Sequence, residues 1–412
     1  MGTQQLLKIG MIGFGGRGLS LLRNVLLPRE DVILTAVCDL YEDRAQEAAT
    51  KVKERYHNDP LCTTDAQCLI DSPEVDAVII STAWESHIPL AIAAMKAGKR
   101  VAMEVGGAYS LQSCFDLVRV SEETGVPVML LENCCYGRTE LMVLNAERQG
   151  VLGEIVHCEG GYCHDLRDEV AFGKENRHYR LRNYQNRNCE NYPTHELGPI
   201  AKLLHINRGN RMVSLVSVAS CAKGLNTFIE KTDKADKSLL NKPFAQGDVI
   251  TTIITCAGGQ TIVLRLDTTL PRYYSRNFTV RGTKGMYEEV TDSFFLDGVH
   301  NQDDWSWHKQ WGNATKDYRE QYEHPIWKEY LQAGVQQGHD GIDWLVMEAF
   351  VESAKNKTNP PIDVYDAAAW MAVTALSEQS IALGGTAVSF PDFTNGKWLY
   401  RQDHAEGKYN LD

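Results

Sequence analysis

Six residues near the start of the chain, Gly13-Phe14-Gly15-Gly16-Arg17-Gly18, follow a glycine pattern suited to holding phosphate. In such a set Gly13 makes a tight turn, Gly15 lets backbone N–H groups approach a pyrophosphate, and Gly18 lets the next helix pack on the strand. The helix N-terminus adds partial positive charge. Asp39 lies roughly 20 residues further on, where a carboxylate binds the ribose hydroxyls and repels a 2′-phosphate. The cofactor expected is therefore NAD rather than NADP. A glycine turn and a surface aspartate explain each part separately, but not the two together. A second group with chemical potential, Cys158, Cys163 and His164, matches no zinc spacing. It reads as a strand and its exit loop, and no metal is expected.

The elements around the glycines fit that use. Residues 8–12 are a short apolar run ending at the turn, 19–27 carry apolar residues at helical spacing, and 32–38 form a second β-rich run. Strand, helix and strand in that order make a right-handed βαβ unit. The alternation continues with strands at 75–81, 100–104 and 126–131 and helices at 87–97 and 111–124, which is the signature of a doubly wound parallel sheet. The character changes near residue 133. After a helix at 139–149, β-rich runs dominate at 154–163, 212–221, 248–257, 260–268 and 277–281, with Ala257–Gln260 as a hairpin turn. Two helices at 341–354 and 364–382 flank the Pro360–Pro361 break. The fold class expected is α/β: an N-terminal Rossmann domain over 1–132, then a domain over 133–412 with a large, open, mostly antiparallel sheet.

Composition limits the partners. A chain of 412 residues exceeds one ordinary core. Its net charge of −12 argues against nucleic acid, whose phosphates need basic patches. No stretch is long and apolar enough for a bilayer span, and Met1–Leu7 lacks the features of a signal peptide. Eleven scattered cysteines without CxxC spacing read as reduced thiols, so a cytoplasmic location is expected. Small carbohydrate substrates fit better, and an exposed sheet face would suit a homo-oligomer.

Several short segments, in order, carry a resemblance. They are Trp84-Glu85-Ser86-His87, Glu104-Val105, Asn133-Cys134-Cys135-Tyr136-Gly137-Arg138, Tyr162-Cys163-His164-Asp165-Leu166-Arg167, Arg187-Asn188, Tyr192-Pro193-Thr194-His195 and Pro271-Arg272-Tyr273-Tyr274-Ser275-Arg276. Together with the glycine turn they resemble the Gfo/Idh/MocA superfamily, and within it glycoside hydrolase family 109, whose members are NAD-dependent α-N-acetylgalactosaminidases. The resemblance implies NAD contacts from Arg17, Gly18, Asp39, Trp84, Glu85, Ser86, His87, Glu104, Val105 and Asn133. It implies sugar contacts from Tyr162, Arg180, Tyr192, Pro193, Thr194, His195 and Tyr274. The chain departs from the family pattern at Gly106, where proline is usual, at Glu196, where glycine is usual, and at Tyr273, where proline is usual. Superfamily dehydrogenases carry Glu-Lys-Pro at the end of this strand; here Val105 replaces the lysine and cannot move a proton.

The family mechanism oxidises the sugar at C3, which acidifies the C2 hydrogen. Elimination of the C1 substituent, addition of water and return of the hydride follow, without the two flanking carboxylates of ordinary glycosidases. His195 is the candidate base for the C3 hydroxyl, since imidazole works near neutral pH as both acid and base; packing or capping at a helix start is its alternative. Tyr162 is the candidate at C2, where a phenol works as a base only beside positive charge such as Arg180 or the nicotinamide; a plain tyrosine on a sheet face is its alternative. Tyr192 and Tyr274 would shape the pocket. His164 and Arg167 either help orient the site or belong to a solvated loop. Trp305, Trp307 and Trp311 suit sugar stacking, sheet cover or a subunit contact equally. The leading reading is an NAD-dependent glycosidase acting on an α-N-acetylgalactosaminide or related hexoside. An NAD-dependent sugar or inositol dehydrogenase is the second, and a non-catalytic NAD- or sugar-sensing protein the third.

Overall fold

The computed structural model describes residues 6–233, 235–240, 242–300, 312–401 and 406–411. Trp305, Trp307 and Trp311 lie outside them. The chain packs into two compact units. The first is Met1–Tyr136 with Glu329–Ala369 and Asp403–Asp412; the second is Gly137–Lys328 with Trp370–Gln402.

The first unit is built on six parallel strands: β1 (Leu7–Ile12), β2 (Val32–Cys38), β3 (Leu61–Thr63), β4 (Ala77–Ile80), β5 (Arg100–Met103) and β6 (Val128–Leu130), in the order β3-β2-β1-β4-β5-β6. The order reverses direction between β1 and β4, the switch point at which such sheets bind nucleotides. β4 is buried at all four positions, as expected for a parallel strand with both faces covered. The helix Gly16–Leu21 continues as a π-turn over Leu22–Leu26, so the predicted helix is present and starts three residues earlier. The helices Trp84–Lys96 and Leu111–Thr124 match their expected positions.

The second unit holds an eight-stranded sheet: β7 (Ile155–Cys163), β8 (Met212–Ala219), β9 (Val249–Cys256), β10 (Thr261–Asp267), β11 (Thr279–Gly282), β12 (Gly285–Glu288), β13 (Ser293–Leu296) and β14 (Val388–Ser389). Their order is β13-β12-β11-β7-β10-β9-β8-β14, antiparallel except between β7 and β10. Strict alternation explains the layering. Ile250, Ile254, Ile262, Leu264 and Leu266 are buried on one face, while Ile253 of β9 and Val218 of β8 are about half exposed on the other. The helix Thr194–Leu203 packs on the covered face, where Gly160 of β7 leaves room for Glu196 and Ile200: a Cβ on that glycine would come within 2.9 Å of the Glu196 Cβ. Among the described residues no helix is long and apolar enough to cross a membrane.

Candidate active site

The glycine turn of the first unit separates into two kinds of position. Gly13 has φ +99°, and a Cβ there would lie 2.4 Å from the Ser81 carbonyl oxygen; a Cβ on Gly18 would lie 2.1 Å from the Gly13 carbonyl oxygen. The fold alone requires these two glycines. Gly15 is different. Its backbone is extended, a Cβ would meet only the Arg44 Nη1 at 3.7 Å, and one on Gly16 would meet nothing within 4 Å. The open space above Gly15 and Gly16 at a helix N-terminus is a cradle that a pyrophosphate fits. At the end of β2, Asp39 accepts the backbone N–H groups of Phe14 at 2.6 Å and Tyr41 at 2.9 Å, which fixes a buried carboxylate beside the turn. The residues present therefore fit NAD.

The other positions implicated in cofactor binding gather nearby. The helix beginning at Trp84 has its first turn braced by Ser86 Oγ, which donates to the Thr82 hydroxyl and Ala83 carbonyl, and by His87 Nε2, 2.9 Å from the Thr82 carbonyl. Glu85 accepts the Tyr109 hydroxyl at 3.5 Å. The Trp84 indole is buried against Gly106, where a Cβ would come within 2.3 Å of the ring. Gly106 has φ +154°, a backbone closed to the proline usual in the family, whose ring fixes φ near −65°. Burial, partly offset by hydrogen bonds to the Thr82 and Glu104 backbone, pushes the His87 imidazole down to about 4. His87 is thus neutral at physiological pH.

Arg17 and Asn133 converge on a residue that no motif singled out. Asp343, in the helix Ile342–Asn356, accepts two hydrogen bonds from Arg17 at 2.6 and 2.9 Å, one from Asn133 Nδ2 at 2.7 Å, and lies 2.7 Å from His339 Nδ1. Arg17 Nε also donates to Glu104 at 3.0 Å, and the Val105 N–H lies 3.3 Å from the other Glu104 oxygen. Burial opposes ionisation of Asp343, but the His339 and Arg17 hydrogen bonds outweigh it and hold the carboxyl well below the usual range. Arg17 and Asn133 are therefore braced from behind, held at fixed angles rather than left to search for a ligand. The helix itself was expected over 341–354, but no motif marked Asp343 within it.

The carbohydrate-facing candidates lie in the second unit, and the structure brings them together. The Tyr162 ring, at the end of β7, is 4.4 Å from Tyr192 and 5.5 Å from His195 between centroids. Tyr192 and His195 meet edge to face at 4.8 Å, with the Tyr192 hydroxyl 3.5 Å from His195 Nε2. Tyr192 and Pro193 lead directly into the helix that starts at Thr194, so His195 sits in its first turn. No cis peptide occurs among the described residues, so Tyr192–Pro193 is trans. Arg180, buried, lies over the Tyr192 ring at 5.0 Å and is paired with Glu169 at 2.5 Å. Burial lowers its tendency to hold a proton, but Glu169 and then Tyr179, Tyr162 and Tyr184 more than reverse this, so the guanidinium stays charged.

His164 joins this cluster through two contacts. Its Nδ1 is 3.1 Å from the Tyr162 hydroxyl, and its ring meets that of Tyr274 edge to face at 5.2 Å. Burial and the Arg180 charge lower its pKa against the opposing pull of Glu169 and Asp165. A neutral imidazole can accept the phenol proton at Nδ1. Tyr274 is half exposed and Tyr273 almost fully so. Arg167 is not part of the group: it pairs with Asp165 at 2.6 and 2.8 Å and lies over Phe228. Thr194 is fully buried behind the cluster. Cys134, Cys135, Cys158 and Cys163 are buried and form no disulfide, and burial pushes the Cys163 thiol up to about 11.

Comparison with known proteins decides between the readings of this geometry. Residues 136–400 match the family described as glycosyl hydrolase 109, C-terminal domain. The chain belongs to glycoside hydrolase family 109. Residues 7–131 match the oxidoreductase family with an NAD-binding Rossmann fold. A family 109 protein of Stenotrophomonas maltophilia is 39% identical over 98% of this chain and 92% of its own length. An α-N-acetylgalactosaminidase of Tannerella forsythia is 37% identical over 96% and 88%. Among solved structures, levoglucosan dehydrogenase in complex with NADH and levoglucosan superposes with a TM-score of 0.67, at 18% identity, over 94% of this chain and all of that one. Apo scyllo-inositol dehydrogenase of Lactobacillus casei gives 0.66 at 14% identity, over 94% and 99%. At such identity these two dehydrogenases share the fold, whereas the close relatives are glycoside hydrolases. This chain of the Gfo/Idh/MocA superfamily is accordingly an NAD-dependent glycoside hydrolase.

Proposed function

We propose that the enzyme cleaves an α-N-acetylgalactosaminide or closely related hexoside by transient oxidation at C3, with no net redox change. The observation that carries this is the Tyr162, Tyr192 and His195 cluster with a charged Arg180 against it. NAD, when bound, supplies the acceptor for the C3 hydride and later the donor that returns it. His195 removes the C3 hydroxyl proton and gives it back. The resulting ketone makes the C2 hydrogen acidic, and Tyr162 takes that proton, its phenolate favoured by the fixed charge of Arg180. His164, neutral and 3.1 Å from the phenol, orients that hydroxyl and relays its proton. Expulsion of the C1 substituent leaves a double bond to which water adds. Tyr192, Pro193, Thr194 and Tyr274 shape the pocket. The cofactor would be held by Gly13, Gly15, Gly18, Asp39, Trp84 to His87 and Val105, with Arg17 and Asn133 kept in place by Asp343 and Glu104 paired with Arg17.

We further assign the open sheet face, with Val156, Val218 and Ile253 about half exposed, to self-association. A reducing cytoplasmic location accords with eleven cysteines, none of them in a disulfide. The experiment is hydrolysis of nitrophenyl α-N-acetylgalactosaminide and other hexosides in deuterated water. Nitrophenol release with deuterium at C2 of the product and no accumulating NADH is expected. NADH rising in step with oxidised sugar would overturn the scheme in favour of a dehydrogenase.

A further inference from the structure

The loop between β10 and β11 shows two large rings in a row to water. Tyr273 is 94% exposed and Tyr274 52%. The backbone that carries them is fastened on both sides. Before the pair, Arg272 donates to Asp267 at 2.6 Å, and its Nε donates to the Tyr273 carbonyl at 2.9 Å. After it, Ser275 exchanges backbone hydrogen bonds with Cys163 at 3.0 and 3.1 Å, which ties the loop to the end of β7. The Ser275 hydroxyl adds a bond to Glu289 at 3.2 Å. The rings are therefore displayed from a held backbone. Two adjacent aromatic rings at the rim of a pocket mark a contact with something outside the chain.

The neighbouring groups say which end of the sugar this loop faces. His195 acts at the C3 hydroxyl and Tyr162 at C2, and their rings are 5.5 Å apart. C1 is the next ring atom after C2, on the side away from C3. On the protein, Tyr162 leads to His164, whose Nδ1 is 3.1 Å from the phenol oxygen. His164 leads to Tyr274, with 5.2 Å between the rings. The succession His195, Tyr162, His164, Tyr274 thus parallels C3, C2, C1 and the leaving group, and Tyr273 extends it outward. Arg272 and Arg276, which flank the pair, are engaged by Asp267 and Glu140, both at 2.6 Å. A neutral surface of flat rings suits the C–H face of an uncharged pyranose, with phenol hydroxyls at the rim to meet its own. A phosphate or sulfate would call for a charge-assisted partner instead.

We propose that Tyr273 and Tyr274 form a leaving-group subsite that stacks a neutral pyranose, so that the enzyme prefers a glycan of two or more sugars to a simple glycoside. Tyr274 makes the inner half of the subsite, beside His164, and Tyr273 the outer half. Since proline is usual at position 273 in the family, the outer half belongs to this chain in particular. The orientation of the sugar rests on the proposed roles of His195 at C3 and Tyr162 at C2.

The test compares the full-length, NAD-loaded enzyme with Tyr273→Ala, Tyr273→Pro and Tyr273→Phe on two substrates. One is a disaccharide of α-linked N-acetylgalactosamine with galactose as the leaving group. The other is methyl α-N-acetylgalactosaminide, which offers the subsite no ring. The quantity read is the ratio of kcat/KM for the disaccharide to that for the methyl glycoside. It should fall roughly 3- to 10-fold in Tyr273→Ala and Tyr273→Pro, the worth of one aromatic stacking contact, and recover in Tyr273→Phe. The loss should sit in KM, because a stacked ring is held alike before and during bond breaking. An unchanged ratio in the alanine and proline variants would overturn the subsite, and a ratio no better in Tyr273→Phe than in Tyr273→Ala would overturn stacking. A lower molar mass of Tyr273→Ala by light scattering, with the ratio unchanged, would give the ring to a subunit contact instead. If the wild type hydrolyses neither substrate, the glycosidase reading fails, and saturation-transfer NMR with lactose decides the subsite separately. Transfer from aromatic protons that is lost in Tyr273→Ala supports it; equal transfer in both proteins overturns it.

Discussion

Replacing Gly15 by alanine separates what the fold needs from what the cofactor needs. The backbone there, φ −64° and ψ −174°, is open to alanine, and the new methyl group would meet only the Arg44 Nη1 at 3.7 Å. The unfolded chain loses freedom, which stabilises by about 0.4–1 kcal/mol. Alanine is a poorer N-cap than glycine by a similar amount, about 0.5–1 kcal/mol. The two nearly cancel, so unfolding without NAD should shift by no more than about 2–4 °C in a unit of this size. Gly18→Ala is the contrast: its methyl would sit 2.1 Å from the Gly13 carbonyl oxygen, and such overpacking costs about 1–3 kcal/mol. With NAD the order reverses in importance. A methyl group over the cradle displaces a phosphate from a backbone N–H, a charge-assisted bond of about 1.5–3 kcal/mol. That converts to a roughly 10- to 150-fold weaker Kd. Calorimetric titration of NAD into nucleotide-stripped protein, beside thermal unfolding of the same samples, measures both numbers. Binding by Gly15→Ala within about twofold of wild type, well short of that range, would mean that no dinucleotide lies on this turn, whatever the unfolding shows.

Two further outcomes test other parts of the argument. His195→Ala should reduce hydrolysis by about 10²–10⁴, the usual worth of a general base, while NAD affinity in the same calorimeter stays unchanged; wild-type turnover would remove His195 from the chemistry. His87 is fully buried with its pKa pushed down to about 4. The unfolded imidazole takes its proton first, near pH 6.5, so the stability from the neutral ring is complete above that pH and is lost as pH falls toward 4. The loss should approach about 3 kcal/mol. Denaturant unfolding of wild type and His87→Gln at pH 7, 5.5 and 4.5 should show the two stabilities converging; a difference independent of pH would refute it.

Much of this architecture was legible because periodicity reports burial. β1, β2, β4 and β5 read as apolar runs since helices cover both faces of their sheet, and β9 and β10 read as alternation since one face is open. The helix Glu42–Tyr56 gave no such signal: only Ala45, Ala48 and Val52 are buried in it, too thin an apolar stripe to stand out. β3, β12, β13 and β14 are two to four residues long and held by their neighbours rather than by their own pattern. In the site, the glycines and the Tyr-Pro-Thr-His segment were visible as local motifs. Asp343 was not, because its role depends on tertiary contacts that no spacing announces. His164 was visible only as an undecided neighbour of Tyr162, since a strand terminus and a site exit look alike in sequence.

The return of residues 329–369 to the first unit carries a consequence for biosynthesis. Arg17 and Asn133 have their carboxylate from Asp343, the N–H of Leu130 is accepted by the Ile362 carbonyl, and Arg100 donates to the carbonyls of Ser353 and Thr358. A nascent chain that has exposed only the six parallel strands still lacks all of these partners. Translation at about 5–20 residues per second therefore leaves the nucleotide-binding unit incomplete for many seconds after its last strand leaves the ribosome. An excised N-terminal fragment would remain in that unfinished state, a candidate for chaperones rather than a free-standing module.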